Sequence, residues 1–311
     1  MSEIKHAACL GAGVIGASWA ALFLASGRSV AIYDPGEGVE KSVREYIERA
    51  WPAMEELGLT GRGNPDAVSF HADAAEAVDG AGFVQESVPE RLPIKNSVYS
   101  EVENALPRDA VVASSASGLT LGQMQQGWRD PSRLILGHPF NPPHLIPLVE
   151  VMANTRTDSD VLELAEAFYA DVGKVTIRVN KEVPGHVANR LQAAIWREAI
   201  HLITTGVASV GDVDKAIQAG PGLRWAAMGP TTLFSLGAHG GLQAFFDHFT
   251  DTFNGWWDDL GRPYLSREVI EEIVAGLHEA TEGQSEEPLV EKRDAMILAI
   301  RAALRKFEDG K

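Results

Sequence analysis

A single cysteine, Cys9, stands among 311 residues. That excludes a disulfide framework, and its place inside a short apolar run marks it as a core filler. Long apolar stretches are missing too: no run reaches the ~20 residues that a membrane-spanning helix needs. Positive charge is scarce, with 27 Lys and Arg against 43 Asp and Glu and a formal net charge of −16. Such a chain repels polyanions, so nucleic acid is not an expected partner, and the charge serves solubility. His138 and His144 are close in sequence, but no cysteine or carboxylate cluster joins them, and no metal site is expected. No segment is low in complexity and nothing repeats. The first strand pattern begins almost at Met1, leaving no room for a secretory leader, so a cytoplasmic protein is expected. The length suffices for a large core and suggests about two domains.

What is present is concentrated between Leu10 and Asp34. An apolar run, Ala7 to Leu10, enters Gly11-Ala12-Gly13-Val14-Ile15-Gly16, a G-x-G-x-x-G turn. An apolar helical pattern follows to Ser26, Gly27 stops it, and Ser29 to Tyr33 forms a second strand that ends on Asp34. Strand, glycines, helix, strand and acid in this order make a dinucleotide site. Gly11 permits the tight turn, Gly13 lets backbone approach a pyrophosphate, and Gly16 lets helix and sheet pack closely. Val14 and Ile15 carry the first helical amides, which together with the helix dipole face the phosphates. Asp34 can accept both hydroxyls of an adenosine ribose, and its charge would repel a 2′-phosphate. Pro35-Gly36-Glu37 supplies no Arg or Lys to hold one, so NAD is expected rather than NADP.

Further along, helical and strand patterns alternate. A helix is expected over Gly38 to Leu57 and strands over Val68 to Phe70 and Ala81 to Glu86. A helix over Leu92 to Ala105 and a strand over Asp109 to Ser114 follow. Leu134 to Leu136, Pro147 to Val151 and Val175 to Val179 read as strands, the last two around a helix from Asp160 to Val172. Alternation predicts an α/β fold: an N-terminal Rossmann-type, doubly wound, mostly parallel sheet. After Pro184-Gly185 strand signals cease. Helices are expected over Val187 to Thr205, Val210 to Gln218, Thr231 to Leu236, Leu242 to Phe253, Arg267 to Thr281 and Leu289 to Phe307. We therefore expect an NAD-binding domain over 1–183 and an all-helical domain over 184–311, with the substrate site in the cleft between them.

His138-Pro139-Phe140-Asn141-Pro142-Pro143 follows a strand on the ligand side of the sheet, and Glu150 sits twelve residues later inside Leu148-Val149-Glu150-Val151. An acid in an apolar strand is costly without a partner, and a His–Glu pair would satisfy it. The same pair makes a base suited to alcohol oxidation, since the carboxylate orients the imidazole and stabilises its protonated form. On spacing alone, a loop histidine and a solvated glutamate fit equally well.

These motifs carry a resemblance. GAGVIG with Asp34, ESVPERLPIKN, SSASGL, GHPFNPP, LVEV, PGHVANR and MGP together resemble the 3-hydroxyacyl-CoA dehydrogenase superfamily over nearly the whole chain. The resemblance implies that His138 is the base and Glu150 its partner. It implies that Ser117 and Asn189 contact the reacting oxygen, and that Glu90 and Lys95 lie beside the cofactor. It also implies pairing of two chains through the helical domain, which is rich in long apolar helices. Two departures stand out. The lysine-rich segment that meets CoA phosphates is replaced by GEGVEKSVREYIERAWPAMEELGLTG, with acids among its bases, and the C-terminal G-E-G-F-Y segment is absent. KEVPGHVANRLQAAIWREAIHL and GPGLRWAAMGP are instead similar to the branch that holds L-carnitine dehydrogenase and the lambda-crystallin/L-gulonate 3-dehydrogenase group.

That branch implies oxidation of a small free L-3-hydroxy acid, carnitine foremost. Gulonate and 3-hydroxybutyrate or its CoA thioester are the alternative substrates, and a crystallin-like structural protein is the alternative of another class. Arg197 and Arg224 are candidate anchors for the substrate carboxylate, because a guanidinium holds it with two hydrogen bonds. A surface or interface ion pair would explain them as well. Trp225, with Trp196, Phe253, Trp256 and Trp257, could face a trimethylammonium group. Phe245, Phe246, Phe249, Phe253, Trp256 and Trp257 also lie at helical spacing, which suits core or interface.

Overall fold

The structure, a computed structural model, describes residues 4–308. It divides into two compact units that meet between Ala188 and Asn189. In the first, eight strands form one sheet: β1 (His6–Leu10), β2 (Ser29–Tyr33), β3 (Val68–His71), β4 (Phe83–Glu86), β5 (Val111–Ser114), β6 (Leu134–Pro139), β7 (Leu148–Met152) and β8 (Val175–Arg178). Their order is β3-β2-β1-β4-β5-β6-β7-β8, and every neighbouring pair is parallel except β6 with β7. The order reverses between β1 and β4, where the crossovers leave in opposite directions and open a crevice at the carboxyl ends of the strands.

Helices cover both faces, so the central strands are buried on both sides and read as continuous apolar runs. α1 (Val14–Ala25), α2 (Val39–Glu56) and α6 (Val161–Asp171) lie on one face, over a core that includes Trp19, Phe23, Phe83, Phe168 and Tyr169. α3 (Ala74–Val78), α4 (Leu92–Val102) and α5 (Leu121–Met124) lie on the other, over Val78, Val98, Tyr99 and Met124. α1 is buried from Gly16 through Ala25, which only a helix apolar all round tolerates. α2 is amphipathic and buries Val43, Ile47, Ala50 and Met54 at helical spacing. α3 and α5 are too short to show a period in sequence. Each is marked by its cap: Asp73 accepts the Ala75 N–H, and Thr120 forms a capping box with Gln123.

The second unit is helical: α7 (Ala188–Thr204), which begins one residue before it, α8 (Val210–Ala219), α9 (Pro221–Ala227), α10 (Pro230–Ser235), α11 (Gly241–Asp259), α12 (Arg267–Ala280) and α13 (Glu286–Glu308). Periodicity does not predict α9, yet Pro221 stands in its first turn, where a missing N–H costs nothing. The aromatic stripe lies on α11. Phe245 is buried and packs on Phe249 and Phe234, while Trp256 meets Phe253 edge-on, Trp257 meets it at a tilt, and both stay more than half exposed.

Candidate active site

The functional side chains of the first unit gather at the carboxyl ends of β1, β2, β4, β5 and β6. The glycine turn leaves β1 with Gly11 at φ +88°, a left-handed conformation that glycine alone adopts freely. A Cβ at Gly11 would come within 2.7 Å of the Ser87 backbone, and one at Gly16 within 1.9 Å of the Gly11 carbonyl. A Cβ at Gly13 would meet nothing within 4 Å, so backbone there faces open space. Gly13 caps α1 without a side-chain hydrogen bond, and the first turn holds no acid. The first amides and the positive end of the helix are thus left for an anion. At the end of β2, Asp34 is held by two backbone donors, Ala12 N–H to Oδ2 at 2.7 Å and Gly36 N–H to Oδ1 at 2.8 Å. Both oxygens keep lone pairs for ribose hydroxyls. An uncapped helix terminus, a backbone cradle and a pinned acid fit NAD.

Beyond β4 lies a buried polar cluster that composition does not reveal. Glu86 is fully buried; Oε1 accepts from Lys95 Nζ at 2.5 Å and Val88 N–H at 2.9 Å, and Oε2 from Ser114 Oγ at 2.6 Å and Tyr99 OH at 2.7 Å. Burial first, and the Glu86 charge after it, push the Tyr99 phenol well above its usual range, so it remains a donor. Lys95 therefore directs its ammonium inward, with 1% of the residue exposed, and also donates to the Val88 carbonyl at 3.3 Å. It braces the Val88–Glu90 turn from beneath. An acid closing an apolar strand, as in Phe83-Val84-Gln85-Glu86, is the same signal that marks Glu150.

Glu90 crosses from that turn to the loop after β5. Oε2 accepts from Ser117 Oγ at 2.8 Å, and Oε1 accepts the Leu119 N–H at 2.7 Å and the Gly118 N–H. Burial pushes Glu90 upward, but the Gly118 and Leu119 amides, the Ser117 hydroxyl and the Lys95 charge together hold it below the ordinary carboxylate range.

His138 lies within β6, not in a loop after it. β6 and β7 run antiparallel with His138 directly opposite Glu150. Opposed residues of an antiparallel pair share one face of the sheet with their Cβ atoms about 5 Å apart. The register thereby brings His138 Nδ1 to 2.8 Å from Glu150 Oε2. A carboxylate only accepts, so Nδ1 carries the proton and Nε2 is the free acceptor, the form a general base requires. Glu150 is fully buried, and its second oxygen accepts the Val187 and Ala188 N–H groups at 2.8 and 2.9 Å. Burial holds His138 below the usual histidine range against the upward pull of the Glu150 hydrogen bond, with a smaller electrostatic contribution from His186 in the direction of burial.

The remaining candidates belong to the second unit. Asn189 and Arg197 are on α7, and Arg224 and Trp225 on α9. Arg197 and Arg224 are exposed, Asn189 and Trp225 half-buried. Among the described residues neither arginine forms an ion pair. Among the described residues, no group of three or more His, Cys, Asp or Glu is arranged to hold a metal ion, and no helix is long and apolar enough to cross a membrane.

A glycine turn at the start of a helix and a buried His–Glu pair in one sheet fit an NAD-dependent oxidoreductase. The pattern described as "3-hydroxyacyl-CoA dehydrogenase, NAD binding domain" matches residues 6–183, and that described as "3-hydroxyacyl-CoA dehydrogenase, C-terminal domain" matches 185–279. The chain belongs to the 3-hydroxyacyl-CoA dehydrogenase family. It is 44% identical over 302 residues to L-carnitine dehydrogenase of Streptomyces griseus subsp. griseus, covering 97% of this chain and 90% of that one. It is 39% identical to the L-carnitine dehydrogenase of Pseudomonas putida, covering 98% and 95%. The crystal structure of 5-formyl-3-hydroxy-2-methylpyridine 4-carboxylic acid 5-dehydrogenase, an NAD+ dependent dismutase, is similar at a TM-score of 0.85 with 29% identity, covering 97% of this chain and 99% of that one.

Proposed function

We propose that this chain uses NAD to oxidise the 3-hydroxyl of a small free L-3-hydroxy acid to the 3-oxo acid, with L-carnitine the first candidate. The observation that carries this reading is identity of 39–44% over nearly the whole length to L-carnitine dehydrogenases of several bacteria. When bound, NAD is the two-electron oxidant. His138 Nε2 takes the hydroxyl proton as the carbonyl forms, and Glu150 stabilises the resulting imidazolium. Ser117 and Asn189 hold the reacting oxygen. Gly11, Gly13, Val14, Ile15, Gly16 and Asp34 hold the cofactor, with Glu90 beside it and Lys95 acting through the turn that it braces. Residues 1–183 serve the cofactor, and 184–311 serve the substrate and a homodimer. The protein works in the cytoplasm.

A free acid is favoured over a CoA thioester by α2, where Glu40, Glu45 and Glu48 are interspersed with Lys41, Arg44 and Arg49 and Arg44 is paired with Glu40 at 2.8 Å. Little positive charge remains there for phosphates. Arg224 or Arg197 would hold the carboxylate, and Trp225 with other rings of the second unit would face the ammonium. Desolvated cation–π contact is worth about 2 kcal/mol, a preference of some thirtyfold over a neutral isostere. The test is NADH formation with L-carnitine, gulonate, 3-hydroxybutyrate and 3-hydroxybutyryl-CoA. The highest kcat/KM is expected for L-carnitine. A win for the thioester would remove the free-acid reading, and a win for gulonate would keep the base and cofactor but reassign the pocket.

A further inference from the structure

His186 lies among the residues that hold the proposed base, next to the His138 ring and the Ala116 carbonyl, yet the reaction as derived does not use it. It is 3% exposed, and its backbone lies at φ 47°, a left-handed conformation that non-glycine residues avoid. Its Nε2 lies 3.2 Å from the Ala116 carbonyl, immediately before Ser117. A carbonyl only accepts, so Nε2 carries the proton and Nδ1 presents a lone pair. That Nδ1 is buried without a hydrogen-bond partner. The ring centroid lies 5.1 Å from that of His138. The next two residues, Val187 and Ala188, supply the backbone donors to Glu150. One residue in a costly backbone conformation thus ties the loop of Ser117, the ring of His138 and the carboxylate of Glu150 together. Strain of this kind persists where the surroundings over-determine it, most often at functional sites.

We propose that His186 is a positioning residue for the base: its ring, fixed on the Ala116 carbonyl, holds Ser117 and the His138–Glu150 pair in one geometry and keeps a second imidazole beside the ring that takes the proton. This rests on His138 being the base. The groups that act on His138 are Glu150 from β7 and Glu90 from the turn after β4, which favour its protonated form, and His186, which opposes it. The rings are 5.1 Å apart between centroids, so any positive charge on His186 opposes one on His138. An unprotonated His138 is the form that accepts the substrate proton.

The experiment is the pH profile of kcat/KM with NAD and L-carnitine for the full chain and two variants. His186→Phe keeps a buried ring but removes both nitrogens. His186→Asn tolerates the left-handed backbone and can offer a side-chain N–H to the Ala116 carbonyl. For His186→Phe we expect the acid limb to move to higher pH and kcat to fall by about tenfold or more, since small misplacements of reacting groups cost up to ~100-fold. For His186→Asn we expect recovery of much of that kcat with the acid limb still displaced. A wild-type profile and rate in both would overturn the proposal, and so would a fall in kcat with the acid limb unmoved, which is the mark of a scaffold role. If His186→Phe loses its melting transition or its NAD affinity, the Asn variant decides, its displaced limb supporting the proposal and a wild-type limb ending it. His138→Gln separates the underlying reading: retained turnover there would remove His138 as the base whatever the His186 variants do.

Discussion

At the residue scale, the proposed base is an imidazole whose protonation is governed by its burial and by the groups around it. Burial holds His138 below the ordinary histidine range, while the Glu150 hydrogen bond raises it. The proposed base must be unprotonated to act, so kcat/KM should fall as pH drops through that lowered value, and the acid limb should lie below about 6.5. His138→Gln should lower kcat by at least about a hundredfold with NAD affinity kept, because only the proton acceptor is lost. Glu150→Gln removes the group that raises His138, so its acid limb should shift to lower pH while kcat falls for want of a partner to the imidazolium. Titration calorimetry with NAD beside steady-state profiles separates the two effects; collapse of NAD affinity with turnover intact would contradict both roles. Asp34, pinned by Ala12 and Gly36, should hold NADP at a kcat/KM far below that for NAD, and comparable efficiencies would count against its role.

At the element scale, the glycine turn separates folding from cofactor binding. Gly16 packs α1 onto the turn so tightly that an added Cβ meets the Gly11 carbonyl oxygen, and backbone cannot yield cheaply. Gly16→Ala should therefore destabilise the first unit by about 1–3 kcal/mol or more, read as a lower Tm. Gly13→Ala adds its methyl group to open space. Its Tm should remain near that of the parent, while NAD affinity falls about tenfold or more, equivalent to ~1.4 kcal/mol, as the methyl occupies the phosphate cradle. Equal NAD affinity in Gly13→Ala and the parent would show that the cradle lies elsewhere.

At the scale of the whole molecule, the second unit exposes what a stable core would bury. Among the described residues its buried apolar side chains are Ile200, Val210, Val213 and Phe245, whereas Leu191, Trp196, Leu223, Leu236, Trp256 and Val274 are more than half exposed. Apolar surface of this extent marks an interaction face. Sedimentation should show a dimer at micromolar concentration, and polar substitutions at Leu191 and Trp196 should shift it toward monomer. A parent chain that sediments as a monomer would exclude the homodimer.

Features that depend on residues adjacent in the chain were legible without coordinates. The order strand, glycines, helix, strand and acid between Leu10 and Asp34 is local, so spacing and the absence of side chains at Gly11 and Gly16 carry its geometry in the sequence itself. The alternation of strands and helices up to Pro184, and the helices beyond it, likewise follow from periodicity. Glu150 could be singled out because a charge inside an apolar strand demands a partner. Which atoms would meet was a matter of tertiary structure. Antiparallel pairing of β6 and β7 puts His138 opposite Glu150, a register set by hydrogen bonds between segments and invisible to spacing. Lys95 turned inward because Glu86 at the end of a neighbouring strand pulls its ammonium into the interior, and His186 acquired its place from a left-handed turn that no local pattern announces. Local chemistry is written along the chain, but burial and register arise only when distant segments share one sheet, and those two properties decide which polar groups are paired and which remain poised to react.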